Sequence, residues 1–378
     1  MADILATTSF SVDQVARWAT TRSFIGIFSV LCLMGLDQSA IRFRQYSKRI
    51  LVMALVQIPI LSSIFSIGYD SFAEHSDARW MAFVGVSASL TMMATQYFRS
   101  NLFRVLAQLS DQVWKLCAFL IFASVCTFNL PIDAISTTMI AMFSVSALSV
   151  AVALSFPIQQ VQSEEDFSVR KVYRVGLRFY ASSLLLAFSQ YLEIVLVNTF
   201  SDVHAVATYF SHLTFFVLPI SAVGGFLGFL AGPWVRDNRL KFLFQLSEYW
   251  LHAVGVSLVC VFLAFNFGYF AWQFFDMGAT DLSLVLAFTF GSLARLLYTL
   301  PSAFVGNFGS IRQHDAFILG QLLCLGLAAA LYLFLTFGFG MEAQYGAAWG
   351  AALNLTLRTA FGYLMIHWIS RFRGSDAQ

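Results

Sequence analysis

The fold is decided by the stretch ILVMALVQIPILSSIFSIGY at residues 50–69, which runs for twenty residues without a charged side chain. A helix of about 20 predominantly apolar residues is long enough to cross the hydrocarbon core of a bilayer. Lys48 and Arg49 precede the stretch, and Asp70 follows it. We therefore predict a transmembrane helix bounded by charges at both of its ends.

The composition of the whole chain agrees with that interpretation. Of its 378 residues, 59% are hydrophobic and 11% are charged, against about 25% charged in an ordinary soluble domain. So little polar surface cannot cover a water-soluble globule. The net charge of +2 gives no indication of nucleic-acid binding. The five cysteines lie inside apolar runs without metal-binding spacing, so we predict packing roles for them, no metal site and no cofactor.

Apolar runs of this kind recur along the chain, each bounded by charged clusters. Only a helix satisfies its own backbone hydrogen bonds when it faces lipid, apart from a closed barrel. The sequence therefore predicts an all-α polytopic membrane protein. Its eleven predicted spans lie near residues 22–40, 50–69, 79–104, 112–129, 133–157, 174–199, 206–232, 242–266, 280–305, 316–338 and 344–370.

The distribution of Lys and Arg predicts the orientation in the membrane. Sixteen basic residues fall in one set of alternate loops, whereas Arg17, Arg22 and Arg79 are the three that fall in the other set. Because cytoplasmic loops are enriched in Lys and Arg, the first set is predicted to be cytoplasmic. The N-terminus is then outside and the C-terminus inside.

The longest predicted cytoplasmic loop follows the fifth span and divides the chain into two lobes. We predict an N-terminal lobe of five spans at residues 1–157 and a cytoplasmic linker at 158–173. A C-terminal lobe of six spans is predicted at residues 174–378.

Two weak internal alignments indicate that the lobes are repeats of each other. TTSFSVDQVARW (7–18) aligns with NTFSDVHAVATY (198–209), and AQLSDQVWKLCAFL (107–120) aligns with GNFGSIRQHDAFIL (306–319). Together they place the five spans of the first lobe opposite the last five of the second. We therefore expect a twelve-helix, two-lobe fold in which the first helix is missing.

This arrangement resembles the MOP superfamily of exporters, which includes the MATE transporters, and specifically its Wzx-type polysaccharide flippases. RSFIGIFSVLCLMGLDQSAIRFRQ (22–45) is similar to the family's second helix, which ends in a G-L-x-x-[AS]-x-x-R-[FY] pattern. SSLLLAFSQYLEIVLVNTFSDVHAVATYF (182–210) is similar to its seventh helix, with Glu193 as the acidic residue. Residues 301–323 and 347–366 are similar to its tenth-to-eleventh turn and to its last helix.

The resemblance implies a flippase that moves an isoprenoid-diphosphate-linked oligosaccharide across the bacterial inner membrane for surface polysaccharide biosynthesis, such as O-antigen, lipopolysaccharide or exopolysaccharide. The expected partners are this substrate, membrane lipids, and polysaccharide polymerase or export proteins, and the expected state is a monomer. We predict no enzymatic activity, since nucleotide-binding, metalloprotease and triad motifs are missing from the sequence. Two alternatives stay open, a MATE-type drug/cation antiporter and a non-transporting partner in an export complex.

The candidate site residues are ionisable groups deep inside predicted spans. Inserting such a group at the bilayer centre costs at least about 2.5 kcal/mol, so it normally faces a cavity or a partner. Arg295 shares a helix face with Ser292 and Thr299, and Arg358 follows Asn354 by one turn. A guanidinium binds phosphate oxygens bidentately. We therefore predict that both arginines bind the diphosphate of the substrate.

Glu193 is a further cavity candidate, and Asp37, Arg42 and Lys115 are additional ones. Glu193 is interpreted either as an ion or proton site or as the partner of an arginine. Asp37, Arg42 and Lys115 lie near predicted span ends, where an interfacial or snorkelling charge is the alternative interpretation.

Overall fold

The computed structural model describes residues 1–70, 78–155, 167–224, 226–227, 246–308 and 311–373. These residues form α-helices joined by short connections, and none of them lies in a β-strand. The helices are α1 (Ala2–Ser9), α2 (Val12–Leu31), α3 (Leu36–Arg42), α4 (Ser47–Asp70), α5 (Ala78–Ser100), α6 (Arg104–Phe128), α7 (Ala134–Ser155), α8 (Val169–Phe200), α9 (Val203–Phe216), α10 (Leu218–Gly224), α11 (Leu246–Phe274), α12 (Leu282–Phe308), α13 (Ile311–Leu333) and α14 (Ala343–Arg373).

Each of the eleven predicted spans coincides with a long helix or with a bent pair of helices. Among the described residues, seven helices are long and apolar enough to cross a membrane, and the bent pairs α2–α3 and α9–α10 bring the number to nine. Helices α5 and α14 coincide with the two remaining predicted spans but lack a stretch as long and apolar as those of the other nine, so the total of eleven spans stays a prediction. The chain is therefore an all-α, multi-pass membrane protein, as predicted.

Contacts divide the chain into two compact units, Met1–Val195 and Leu196–Gln378. The boundary lies within α8, because the first part of that helix packs on α3 and α4. Ser39 Oγ donates a hydrogen bond of 2.9 Å to the Val172 carbonyl, and Tyr173 OH donates to Gln57 Oε1. The predicted lobes divide the chain earlier, at the 158–173 loop, most of which lies outside the described residues. That division stays a prediction.

In each unit one helix contacts four others of that unit in the same pattern. In the first unit α5 contacts α2, α4, α6 and α7, and in the second unit α12 contacts α9, α11, α13 and α14. The helix starts agree as well. Ser11 caps α2 in a capping box with Gln14, and Asp202 caps α9 by accepting a 2.8 Å hydrogen bond from the Ala205 amide. Ser11 and Asp202 occupy the same place in the first internal alignment, which the structure therefore supports.

The second internal alignment is wrong in register. Residues 107–120 lie entirely within α6, which begins at Arg104, because the turn after α5 falls at residues 101–103. In contrast, residues 306–319 contain the end of α12 and the start of α13. The alignment matched the polar residues of α6 with the turn between α12 and α13. Asp111 and Lys115 instead form an i,i+4 salt bridge within α6 and do not mark a turn.

Both bent pairs have an identifiable backbone cause. Helices α2 and α3 meet at 52°, where Met34 and Gly35 have φ values of 45° and 83°. Helices α9 and α10 meet at 44° just before Pro219. Proline has no amide hydrogen to donate to the carbonyl four residues earlier, here that of Phe215. That carbonyl faces Gly268 of α11, where an added Cβ atom would lie 2.5 Å from the oxygen.

Candidate functional site

Arg358 lies in the middle of α14 and is 3% exposed. Its Nη2 donates a 2.7 Å hydrogen bond to Gln321 Oε1 on α13, and its guanidinium carbon lies 5.0 Å from the ring centroid of Tyr298 on α12. Gln321 Nε2 in turn donates a 2.8 Å hydrogen bond to Tyr298 OH. The three side chains therefore connect three helices. We call them the Arg358 cluster.

The guanidinium has two kinds of contact in this cluster, a hydrogen bond to an amide oxygen and a cation–π contact with an aromatic ring. Both interactions are strengthened in a buried setting, because water does not compete for the same groups. Arg358 therefore stabilises the packing of α12, α13 and α14. Its predicted direct contact with a substrate stays a prediction.

Arg295 lies on α12, whereas Arg358 lies on α14, and these two helices contact each other. The surroundings of the two arginines differ. Arg295 Nη1 donates a 2.9 Å hydrogen bond to Ser221 Oγ on α10, and the Arg295 side chain is half-buried. The break before Pro219 turns α10 by 44° and sets the direction of the segment that carries Ser221. The side chain of Arg295 is less enclosed than that of Arg358.

The polar residues predicted beside the arginines are mostly enclosed. Ser292 and Asn354 are each 2% exposed, and Ser292 Oγ and Asn354 Oδ1 have no hydrogen-bond partner among the described residues. Thr299 is half-buried, with its Oγ1 atom 3.5 Å from the Arg295 carbonyl on the preceding turn. These three residues thus line the interior of the second unit around the two arginines.

The interior of the second unit is cationic. Within its described residues, the aspartates and glutamates whose side chains are placed lie at helix ends or in connections, at Asp202, Asp276, Asp281, Asp315 and Glu342. Arg295 and Arg358, by contrast, lie near the middle of their helices. A buried charge persists only when it is paired or hydrogen-bonded. The unit therefore provides hydrogen-bond donors with positive charge, a set suited to an anion.

The remaining candidates belong to the first unit. Glu193 is half-buried on α8. It belongs to the first unit, whereas Arg295 and Arg358 belong to the second, so its predicted pairing with an arginine stays untested. Asp37 is 6% exposed at the start of α3 and accepts a 2.9 Å hydrogen bond from Gln38. The carboxyl group of Asp37 is thus enclosed at the α2–α3 break, and its interfacial interpretation stays untested.

Arg42 and Lys115 are surface residues of the first unit. Arg42 is exposed and stacks on Phe179 at 3.9 Å from the ring centroid. Lys115 pairs with Asp111 at 3.0 Å on α6, with 42% of its side chain exposed. An ion pair as exposed as Lys115–Asp111 contributes about 0–1 kcal/mol to stability. A binding role for Arg42 or Lys115 stays a prediction.

A cavity of about 740 Å³ lies between α11, α12 and α14 of the second unit. Its walls are mostly apolar, and Trp250, Leu293 and Tyr363 contribute to them. Neither arginine lines it. The cavity and the predicted arginine site are therefore separate features of this unit.

No family model matches the sequence, and no curated protein matches it. Solved structures do match the chain. A MATE structure in the bent conformation aligns with TM-score 0.57 and 16% identity over 100% of this chain and 92% of that chain. The chain has the MATE fold. A eukaryotic MATE transporter gives TM-score 0.54 and 14% identity over 100% of this chain and 97% of that chain. An outward-facing multidrug resistance MATE family transporter of the MOP superfamily gives 0.53 and 13%, over 99% and 91%.

Several residues of this MATE-like fold were missed from the sequence. Helix α1 was not predicted, yet Asp3 accepts a 2.8 Å hydrogen bond from Trp18 Nε1 and lies 3.4 Å from Arg22 Nε. Arg22 is thus paired inside the first unit and is not an ordinary loop charge. Tyr298 and Gln321 were missed because their roles depend on the relative register of three helices. A glutamine inside the apolar run of α13 was the one available signal.

Proposed function

We propose that this chain translocates an anionic, lipid-linked substrate across the membrane, and specifically an isoprenoid-diphosphate-linked oligosaccharide. The observation that carries the proposal is the charge of the second unit, in which Arg295 and Arg358 lie near the middle of α12 and α14. A transporter for cations would instead present carboxylates to its substrate. A diphosphate needs positive charge to enter a low-dielectric interior, because an unpaired buried anion carries a penalty of several kcal/mol.

The two arginines are assigned different parts in this function. Arg295 is the residue proposed to contact the diphosphate, because it lies near the middle of α12 and its side chain is half-buried. Charge-assisted hydrogen bonds to phosphate are about twice as strong as neutral ones. Arg358 is proposed to act mainly as a positioning residue, since it holds α12, α13 and α14 together from a buried place.

A MATE-type antiporter of drugs or cations is the second candidate, and the fold supports it equally. The observation that favours it lies in the first unit, where Asp37 is a buried carboxyl group beside the α2–α3 break. Such a group binds a cation or a proton more readily than an anion. A non-transporting role in a polysaccharide export complex is the third possibility. The monomeric state, the bacterial inner-membrane location, the outside N-terminus and the absence of enzymatic activity belong to the proposal as well.

The test is glycan export in a bacterial strain that lacks its resident flippase. The intact chain should restore surface glycan. Arg295→Ala should reduce export at least tenfold at unchanged protein abundance, and Arg295→Lys should restore it only in part, because lysine loses the bidentate geometry. Arg312→Ala is the matched control, since Arg312 is exposed at the start of α13 and should be dispensable.

The same variants distinguish the alternatives. Efflux of organic cations that depends on Asp37 and not on Arg295 would favour the antiporter. Neither export nor efflux from a well-expressed chain would favour the non-transporting role. Normal export by Arg295→Ala would refute the assigned phosphate contact even if the chain proves to be a flippase.

A further inference from the structure

His212 is a buried histidine of α9 whose two ring nitrogens both have partners. The side chain is 2% exposed, and its Nδ1 lies 2.9 Å from the Thr208 carbonyl on the preceding turn. Its Nε2 lies 2.9 Å from the backbone nitrogen of Asp281. A backbone amide can only donate, so Nε2 must be the acceptor and the proton must sit on Nδ1. The geometry therefore requires the neutral imidazole.

The partner of His212 is the residue that caps α12. Asp281 Oδ1 accepts hydrogen bonds of 3.0 Å and 3.2 Å from the amides of Ser283 and Leu284. Its Oδ2 accepts a hydrogen bond from Tyr345 OH at the start of α14. His212, Asp281 and Tyr345 thus connect α9, α12 and α14 at the end of the second unit where α12 and α14 begin.

We propose that His212 is a proton-operated latch, closed when the imidazole is neutral and opened when it binds a second proton. Protonation places a hydrogen on Nε2, directly opposite the Asp281 amide hydrogen, so the hydrogen bond between α9 and the start of α12 is lost. The new imidazolium then attracts the Asp281 carboxylate, which already serves the α12 cap and Tyr345. Protonation therefore replaces the hydrogen bond from the Asp281 amide to His212 by an ionic contact with the Asp281 carboxylate, which competes with the α12 cap and with Tyr345.

The charged and titratable groups around the ring are few. From α12 the ring faces Asp281, and through Asp281 it is linked to Tyr345 of α14, which Glu342 precedes in the chain. From α11 it faces Trp272, whose ring centroid is 4.4 Å away. Histidine is the side chain whose ordinary charge change falls between about pH 5 and 8. Burial of the ring opposes the charged imidazolium, so the latch is expected to open toward the acidic end of that range.

Trp272 provides a direct readout, because a protonated imidazole in contact with an indole quenches its fluorescence more strongly than a neutral one. The purified full-length chain is titrated from pH 8 to pH 5 while tryptophan fluorescence is followed. Because the chain has eight tryptophans and six histidines, the signal is the difference between the unchanged chain and His212→Gln. We expect a reversible decrease that is smaller in His212→Gln. The control His204→Gln should retain the full decrease, because His204 lies exposed in the first turn of α9. A decrease of the same size in His212→Gln would overturn the proposal.

Two variants that leave the ring in place test the latch even where His212→Gln fails to fold. Asp281→Asn keeps a good helix cap but removes the negative charge, so the midpoint should move to lower pH by about one unit. Tyr345→Phe frees Asp281 Oδ2 to stabilise the imidazolium, so the midpoint should move to higher pH. Midpoints that do not move in opposite directions contradict the latch. No substrate is needed, so the result is independent of the proposed transport function.

Discussion

The contrast between the two arginines can be tested by replacing each with alanine and measuring stability. In Arg358→Ala, Gln321 Oε1 loses a charged donor, which contributes about 1.5–3 kcal/mol. The stacking on Tyr298 adds about 0.5–2 kcal/mol. Part of this loss is offset, because the variant no longer buries a charge. We expect a net destabilisation of about 3 kcal/mol.

For a unit of the size of Leu196–Gln378, about 1 kcal/mol corresponds to about 2–4 °C in the melting temperature. Arg358→Ala should therefore melt about 6–12 °C below the unchanged protein. Arg295→Ala should change the melting temperature by no more than about 3 °C, because water can replace its half-buried guanidinium at Ser221 Oγ. The assay is thermal unfolding of the purified chain in detergent, followed by the loss of monodisperse protein.

A double variant separates loss of the hydrogen bond from loss of packing. Arg358→Leu with Gln321→Leu removes both the donor and the acceptor, so no buried polar group of this pair is left without a partner. It should recover most of the lost stability, since replacing both partners of a buried pair by apolar groups is often neutral. An Arg358→Ala melting temperature within 2 °C of the unchanged protein, or a double variant less stable than Arg358→Ala, would refute the assigned structural role.

Two glycines provide further predictions about the helix breaks. Gly268→Ala should destabilise the protein by about 1–3 kcal/mol, because its Cβ would lie 2.5 Å from the Phe215 carbonyl oxygen, to which Pro219 donates no hydrogen bond. Gly255→Ala on the same helix is the control. Its Cβ meets nothing within 4 Å, so it should stabilise the protein by up to about 1 kcal/mol. Equal melting temperatures of these two variants would contradict the assigned contact. Gly35→Ala should lower protein abundance in the membrane severalfold, because residue 35 has φ of +83° and its Cβ would overlap the Gly176 carbonyl, whereas Gly68→Ala in α4 has open space and should accumulate normally.

The sequence predicted the number and places of the long helices because each apolar run is bounded by charges. It did not predict the bends, since a break such as that at Met34 and Gly35 leaves the apolar run uninterrupted. Helix α1 was not predicted, because its eight residues are too few for a membrane span.

The candidate site was predicted only as a set of positions on separate helices. Depth in a span predicted that Arg295 and Arg358 face a cavity or a partner, because a charge near the bilayer centre is costly to leave in lipid. The structure places Arg358 in a buried cluster and leaves Arg295 half-buried. Their partners depend on how neighbouring helices are aligned along their axes, which periodicity within one helix does not determine. For the same reason the pairing of His212 with the Asp281 amide, 69 residues later in the chain, could not be predicted.

The internal repeat gives a reason to look for substrate specificity in the second unit. By the shared contact pattern, α5 and α7 of the first unit correspond to α12 and α14 of the second. Between Arg79 and Arg99, helix α5 is polar but uncharged, α7 has no charged residue, and the hydroxyls of Thr91 and Ser146 join the two helices at 2.6 Å. This helix pair therefore packs without any charged side chain. In the equivalent pair of the second unit Arg358 has a packing role, so Arg295 is the residue to which the proposed recognition of an anionic substrate is assigned.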